Sequence, residues 1–143
     1  MEIRESIQVT AEPQKVWALI SDPHNATHYN PMVKEIVGLQ PGESGGVGTR
    51  WTAIASLMGQ MEIANEITRW EPPHRLSIAM DGPASGVLTF MITPEGEGSR
   101  VDQVATSDMP AVAAPLVKPM LEQNLKESLR RIKATVEHEV AQR

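Results

Sequence analysis

Residues 120–140 read MLEQNLKESLRRIKATVEHEV, and this stretch decides how the rest of the chain must be arranged. Leu121, Leu125, Leu129, Ile132, Val136 and Val140 recur at spacings of three and four, which lays them along one stripe of a long helix. Glu122 with Lys126, and Glu127 with Arg131, stand four apart with the acid first, the favourable orientation on a wet helix face. Lys126, Arg130, Arg131 and Lys133 resemble a basic cluster, but Glu122, Glu127 and Glu137 interleave with them, so a solvated face accounts for them. Pro110, Pro115 and Pro119 mark an irregular approach to this helix, which is predicted to run to about Val140. A single apolar stripe needs an apolar surface to lie on.

The segment before it supplies that surface. From Met32 to Ser107 the apolar period is close to two, the period of strands. Val33 to Leu39 reads as a strand, followed by the loop PGESGGVG. Thr49 to Met58 is the next, with Trp51, Ala53, Ala55 and Leu57 on one face, and Gly59-Gln60 turns it into Met61 to Trp70. Glu71-Pro72-Pro73-His74 then stops the pairing. Leu76, Ile78 and Met80 alternate in another strand, and Leu88, Phe90 and Ile92 in the strand from Gly86 to Thr93. PEGEG leads into Arg100 to Ser107. Short Gly/Pro turns between such runs point to an antiparallel meander.

At the N-terminus, Glu2 to Thr10 is a half-buried strand carrying Ile3, Ile7 and Val9. Glu12-Pro13 opens a helix through Gln14 to Ile20, because proline is tolerated in a first turn. Ser21-Asp22-Pro23 breaks it, Asp22 caps a second short helix towards Tyr29, and Asn30-Pro31 ends that one. The predicted fold is α+β: a curved seven-stranded antiparallel sheet wrapped around the C-terminal helix, with two short helices after strand one. Nothing repeats and no linker divides the chain, so residues 1–143 form one domain.

One helix, about 10 Å across, does not fill the concave side of a strongly bent sheet. The short helices plug one end, and something must occupy the remainder. Ala53, Ala55 and Ala64 lie mid-strand, and the chain has only five aromatic residues, so bulky filler is scarce. The arithmetic favours a hollow, with collapse of Met and Leu into it as the alternative. The eight Met residues fit either reading, as flexible core padding or as an adaptable apolar lining.

Bulk properties narrow the function. With no cysteine, thiol nucleophiles, disulfides and thiolate metal sites are excluded. A net charge of −5 argues against nucleic acid, which needs clustered Lys and Arg. No apolar run is long enough for stable membrane insertion, and MEIRESIQVT does not read as a signal peptide, so a cytoplasmic protein is expected. The sequon Asn25-Ala26-Thr27 is accordingly taken as unused. GESGGVG lacks the Lys-Ser/Thr of a phosphate loop and leads into a strand. His24 and His28, with Asp22 beside them, have a spacing open to metal, but only His74 and His138 remain as further ligands, so they are read as surface histidines. No Gly-x-Ser-x-Gly elbow is present. No metal or cofactor is implied.

Acid–base chemistry would require a titratable group inside the hollow. Asn65 lies between Ile63 and Ile67 in one register, and Glu66 between Ala64 and Thr68 in the other. Ile67 and Trp70 differ in parity, so both face inwards only across a bulge. With the Ile row inside, Asn65 is a neutral orienting group; with the Trp70 row inside, Glu66 is a buried carboxylate. The Ile row is the more apolar and is taken as the inner one. Asn124, beside the helix stripe, is placed to meet a ligand's polar end or to flank it in water.

The segment IQVTAEPQKVWALISDPHNATHYNP, residues 7–31, resembles the opening of the polyketide cyclase/dehydrase-like proteins of the SRPBCC superfamily, the START, pollen-allergen and helix-grip fold group. Gly46-Val47-Gly48-Thr49-Arg50, Trp70 to Leu76, Gly98-Ser99-Arg100-Val101 and the final helix are similar too. Tyr29 stands where many relatives carry Trp. The resemblance covers essentially the whole chain and implies a helix-grip fold holding a hydrophobic small molecule such as a lipid, polyketide or quinone. On that reading Trp51, Ile67, Ile78, Met80, Leu88 and Phe90 form the sheet wall, Met109, Leu116, Met120 and Leu121 the mouth, and Tyr29, Asn65 and Asn124 complete the site. The reading leans away from catalysis. Its alternatives are a cyclase or dehydratase using Glu66 or Tyr29, and a partner-binding module; a homodimer is compatible with all three.

Overall fold

The computed structural model describes residues 1–42, 46–56, 59–83 and 85–141. The chain runs β1 (Glu2–Val9), α1 (Pro13–Ile20), a 3₁₀ turn (Pro23–Asn25), α2 (Ala26–Tyr29), β2 (Val33–Gln40), β3 (Arg50–Ser56), β4 (Gln60–Glu71), β5 (Arg75–Asp81), β6 (Gly86–Glu95), β7 (Gly98–Ser107) and α3 (Ala114–Ala141). All seven strands form one antiparallel sheet in the order β1-β7-β6-β5-β4-β3-β2. β1 and β2 are therefore its two edges. The segment carrying α1 and α2 crosses from one edge to the other, over the face that α3 also covers.

Local chemistry fixes these elements. Pro13 opens α1 where its missing N–H leaves no bond unmade. Asp22 caps the 3₁₀ turn by accepting from the His24 N–H at 3.0 Å. Asn30 leaves helical geometry before Pro31, and its side chain accepts from the Met32 N–H at 3.0 Å, which launches β2.

Three readings need correction. The connection of β6 to β7 is the two residues Gly96-Glu97 rather than the whole of PEGEG, with Gly96 at φ 59° supplying the left-handed backbone. Pro94 can pair opposite Ser99 because β6 there has passed Met91, the last residue opposite β5. Second, α3 starts at Ala114, so Pro115 and Pro119 lie within it rather than ahead of it. Pro115 falls in the first turn; Pro119 leaves the Pro115 carbonyl without its helical donor. Third, Glu127 pairs with Arg131 at 3.2 Å, but Lys126 reaches Glu5 on β1 at 3.8 Å while Glu122 lies 4.0 Å from Lys118. Leu57, Met58 and the loop residues 43–45 are outside the described residues, as is the side chain of Val140.

The stripe Leu125, Leu129, Ile132 and Val136 is buried, and its last three members pack with Val9, Val16, Ile92 and Val101 in the core. A polar clasp locks the end of α3 to β1. Lys133 Nζ donates to the Gln8 carbonyl at 3.0 Å and to Glu137 at 2.6 Å, and Glu137 accepts the Thr10 N–H at 2.9 Å. The hydrogen bond from Lys133 is the main reason the Glu137 carboxyl is held below the usual carboxylate range.

Candidate functional site

The register of β4 decides which chemistry faces inwards. Ile63, Asn65 and Ile67 point into the space under the sheet, and Asn65 is buried with its amide N–H₂ donating to the Ile63 carbonyl at 2.9 Å. Glu66, of opposite parity, lies on the outer face, where it accepts from Arg50 Nε at 2.6 Å. A register shift between Ile67 and Arg69 then returns Trp70 to the inner side, where it packs edge-on against Trp17 at 5.0 Å. Ile67 and Trp70 both face inwards across this bulge.

Neighbouring strands extend the wall by the same alternation. β3 contributes Trp51, Ala53 and Ala55; β5 contributes Leu76, Ile78 and Met80; β6 contributes Leu88. β7 adds Gln103 and Ala105. Opposite them stand Leu121, Asn124 and Leu125 of α3. One end is stopped by Ile20, Ala26 and Tyr29 of the α1–α2 segment, together with Met32, Val33 and Ile36. These residues enclose a cavity of about 200 Å³. The short alanine side chains of β3 help to leave this space open. A larger depression of about 1010 Å³, lined by Arg50, Glu66, Asp81 and Asp108 among others, is charged and open to solvent. The enclosed apolar cavity is the better candidate site.

Its electrostatics are simple. Among the described lining residues none carries a charge, and the only titratable one is Tyr29. Burial, reinforced by the nearby Asp22 charge, pushes the Tyr29 phenol far above its ordinary range, so it stays protonated. Its ring stands edge-on to Phe90 at 6.3 Å. Gln103 is fully buried, and neither its Nε2 nor its Oε1 has a hydrogen-bond partner; Asn124 Oδ1 and Ser128 Oγ are also buried and unpartnered. Such groups are rare in folded proteins, since each costs free energy comparable to a lost hydrogen bond.

Of the residues predicted from sequence, Tyr29, Trp51, Asn65, Ile67, Ile78, Met80, Leu88, Leu121 and Asn124 stand on the cavity wall. Phe90, Met109, Leu116 and Met120 do not. Phe90 is wholly buried in the core against Tyr29. Leu116, at 77% exposure, and Met120, at 39%, face solvent because α3 is already helical there. The inward row passes through Val117, Leu121 and Leu125, and Leu116 and Met120 lie one residue, about 100°, off it. Met109 is half-buried in the approach to α3, off the wall. Gln103 was missed, although it shares its parity with Val101 and Ala105. His24 pairs with Asp22 at 3.3 Å on the surface, and no group of three or more His, Asp or Glu among the described residues is placed to hold a metal ion.

A long helix gripped by a seven-stranded antiparallel sheet, with a cavity between them, defines the helix-grip class of START-like proteins. Residues 1–137 match the family described as polyketide cyclase/dehydrase and lipid transport, and the chain belongs to that family. No curated protein matches it. Among solved structures, a protein from Thermus thermophilus is similar at TM-score 0.78 and 22% identity, covering 96% of this chain and 98% of its own. A START superfamily protein from Mycobacterium smegmatis aligns at TM-score 0.77 and 17% identity, over 96% and 97%. A norcoclaurine synthase point mutant from Thalictrum flavum, in complex with a transition-state analogue, aligns at TM-score 0.69 and 20% identity, over 97% and 96%. At these identities the similarity is one of fold. No helix among the described residues is long and apolar enough to cross a membrane.

Proposed function

We propose that this protein binds a small, uncharged and mostly apolar molecule in the cavity between the sheet and α3, and holds it without transforming it. The observation that carries this reading is the wall itself: an enclosed apolar surface with no charged side chain among its described members. Burying an ionised ligand there would be costly, since nothing on the wall neutralises it. The volume of about 200 Å³ bounds the ligand's size. It exceeds the roughly 150 Å³ cavity that accepts benzene, and falls below the ~300–1,000 Å³ of drug-sized sites. A one- or two-ring compound, or a short chain, fits this space; a whole sterol needs the wall to move.

The enzymatic reading loses its carboxylate, because Glu66 lies outside, paired with Arg50. Tyr29 remains as a hydrogen-bonding group, but a phenol held protonated is no general base. The norcoclaurine synthase shares this architecture, so the distinction rests on the groups inside the cavity and not on the fold.

The test is native mass spectrometry of protein purified from its own host, followed by organic extraction. A near-stoichiometric neutral molecule of this size supports the reading. Protein that is empty, and that gives no fluorescence gain with a neutral environment-sensitive probe, overturns it.

A further inference from the structure

The buried polar atoms without partners are not scattered. Gln103 on β7 and Asn124 on α3 line the same cavity, from the sheet and from the helix, and Ser128 lies one turn beyond Asn124. Gln103 has 0% exposure and leaves both a donor, Nε2, and an acceptor, Oε1, unused; Asn124 leaves the acceptor Oδ1 unused. Asn65 differs, since its amide is tied to the Ile63 carbonyl. Retaining a free amide in an apolar wall lowers stability unless a bound group completes its hydrogen bonds.

From this we infer that Gln103 and Asn124 form a recognition subsite for a neutral head bearing a carbonyl with an adjacent N–H or O–H. A primary carboxamide, an undissociated carboxylic acid and a hydroxy-carbonyl all share that chemistry. The head's carbonyl accepts from Gln103 Nε2, and its N–H or O–H donates to Gln103 Oε1 or Asn124 Oδ1. A ring or short chain behind the head fills the apolar remainder. The inference rests on the proposed binding role and adds the chemical class of the ligand's polar end.

Three probes of one shape test it: α-methylstyrene, acetophenone and benzamide carry on the same ring an apolar, an acceptor-only, and an acceptor-plus-donor group. Trp51 lies on the wall, so its fluorescence reports binding, with calorimetry as a check. The readout is the ratio of benzamide to α-methylstyrene affinity in the native protein and in Gln103→Met, which keeps the side chain's length and removes its hydrogen bonds. Comparing ratios cancels the different hydration of the probes. The ratio should fall on the order of tenfold in the variant, with acetophenone between, as expected for two lost hydrogen bonds. If all probes bind and the ratio is unchanged, the subsite is refuted while the cavity reading stands. If none binds the native protein, the cavity reading fails and the subsite with it. Should Gln103→Met not fold, Asn124→Leu carries the same measurement, with a smaller fall of roughly threefold expected for benzamide, as one hydrogen bond is lost, and little change for acetophenone; an unchanged ratio there refutes the subsite.

Discussion

Filling the cavity should stabilise the protein while closing it to ligand, and Ala53→Leu is the substitution of choice. Ala53 lies mid-β3, 5% exposed, opposite Ile36 of β2 and Ile63 of β4, with all three on the cavity wall. Leucine adds three carbons at a point that faces empty space. At about 0.8 kcal/mol per buried CH₂ the gain is about 2.4 kcal/mol. Fixing the leucine rotamer takes back roughly 0.5–1 kcal/mol, which leaves a net near 1.5 kcal/mol. For a chain of 143 residues that raises Tm by roughly 3–6 °C. Urea melts with an unchanged slope would measure the free energy, and α-methylstyrene titration the lost space. A variant destabilised by about 1–3 kcal/mol, the usual cost of overpacking, would refute the reasoning. It would mean that Met80, Met32 and their neighbours fill the hollow in solution. A stabilised variant that still bound the probe unchanged would refute the other half, by placing the ligand elsewhere.

Other substitutions probe the surroundings. Glu66→Gln should leave probe binding unchanged and alter stability by at most about 1 kcal/mol, because it removes only an outer-face pair with Arg50; a lost ligand would return the carboxylate to the site. Glu137→Gln should cost roughly 0.5–1 kcal/mol at neutral pH, after allowing for solvent screening. The Glu137 carboxyl is depressed in the folded state, so its contribution is complete above the unfolded Glu value and fades as pH falls through the folded one. Thermal melts of the two proteins should therefore converge in acid, and a constant gap would refute the clasp. Gly46→Ala places a Cβ 2.5 Å from Trp70 Cγ, with that ring already held by Trp17. A loss of about 1–3 kcal/mol with a changed near-ultraviolet dichroism of Trp70 is expected, and an unaltered protein would contradict the packing.

Much of this was legible in the sequence because it follows from two periods. The period of two placed Trp51, Ala53 and Ala55 on one face, and Ile63, Asn65 and Ile67 on another strand's inner face. The period of 3.6 placed Leu121 and Leu125. The pattern also showed that Ile67 and Trp70 could both face inwards only across a bulge; from sequence the Ile row alone is taken as inner, whereas a bulge between Ile67 and Arg69 brings Trp70 inwards as well. What it missed depended on phase or on long-range packing. Leu116 and Met120 were assigned inwards because three prolines read as a non-helical approach, whereas two of them are absorbed by α3. Lys126 turned to Glu5 because α3 lies along β1, a contact that i,i+4 spacing does not contain. Ile20 and Ala26 reach the cavity only because the α1–α2 segment crosses between the two edge strands, and Ile36 reaches it from the edge strand β2. Gln103 was within reach of parity alone, which sets it on one face of β7 with Val101 and Ala105.

On the proposed reading, the protein holds its ligand without transforming it because of where it keeps its charges. An apolar cavity strongly perturbs any ionisable group placed in it, and enzymes use that to bring a carboxylate towards neutral pKa. Here the ionisable groups next to lining residues stay off the wall: Glu66 faces outwards to Arg50, and Asp22 caps a surface turn. Among the described lining residues what lies inside is neutral, and the one titratable group, Tyr29, is driven away from the working range by the same burial. The polar capacity that remains consists of amides and hydroxyls, which bind a complementary head but do not take a proton from it at neutral pH. On that reading the unused hydrogen bonds of Gln103 and Asn124 are what give the site its selectivity.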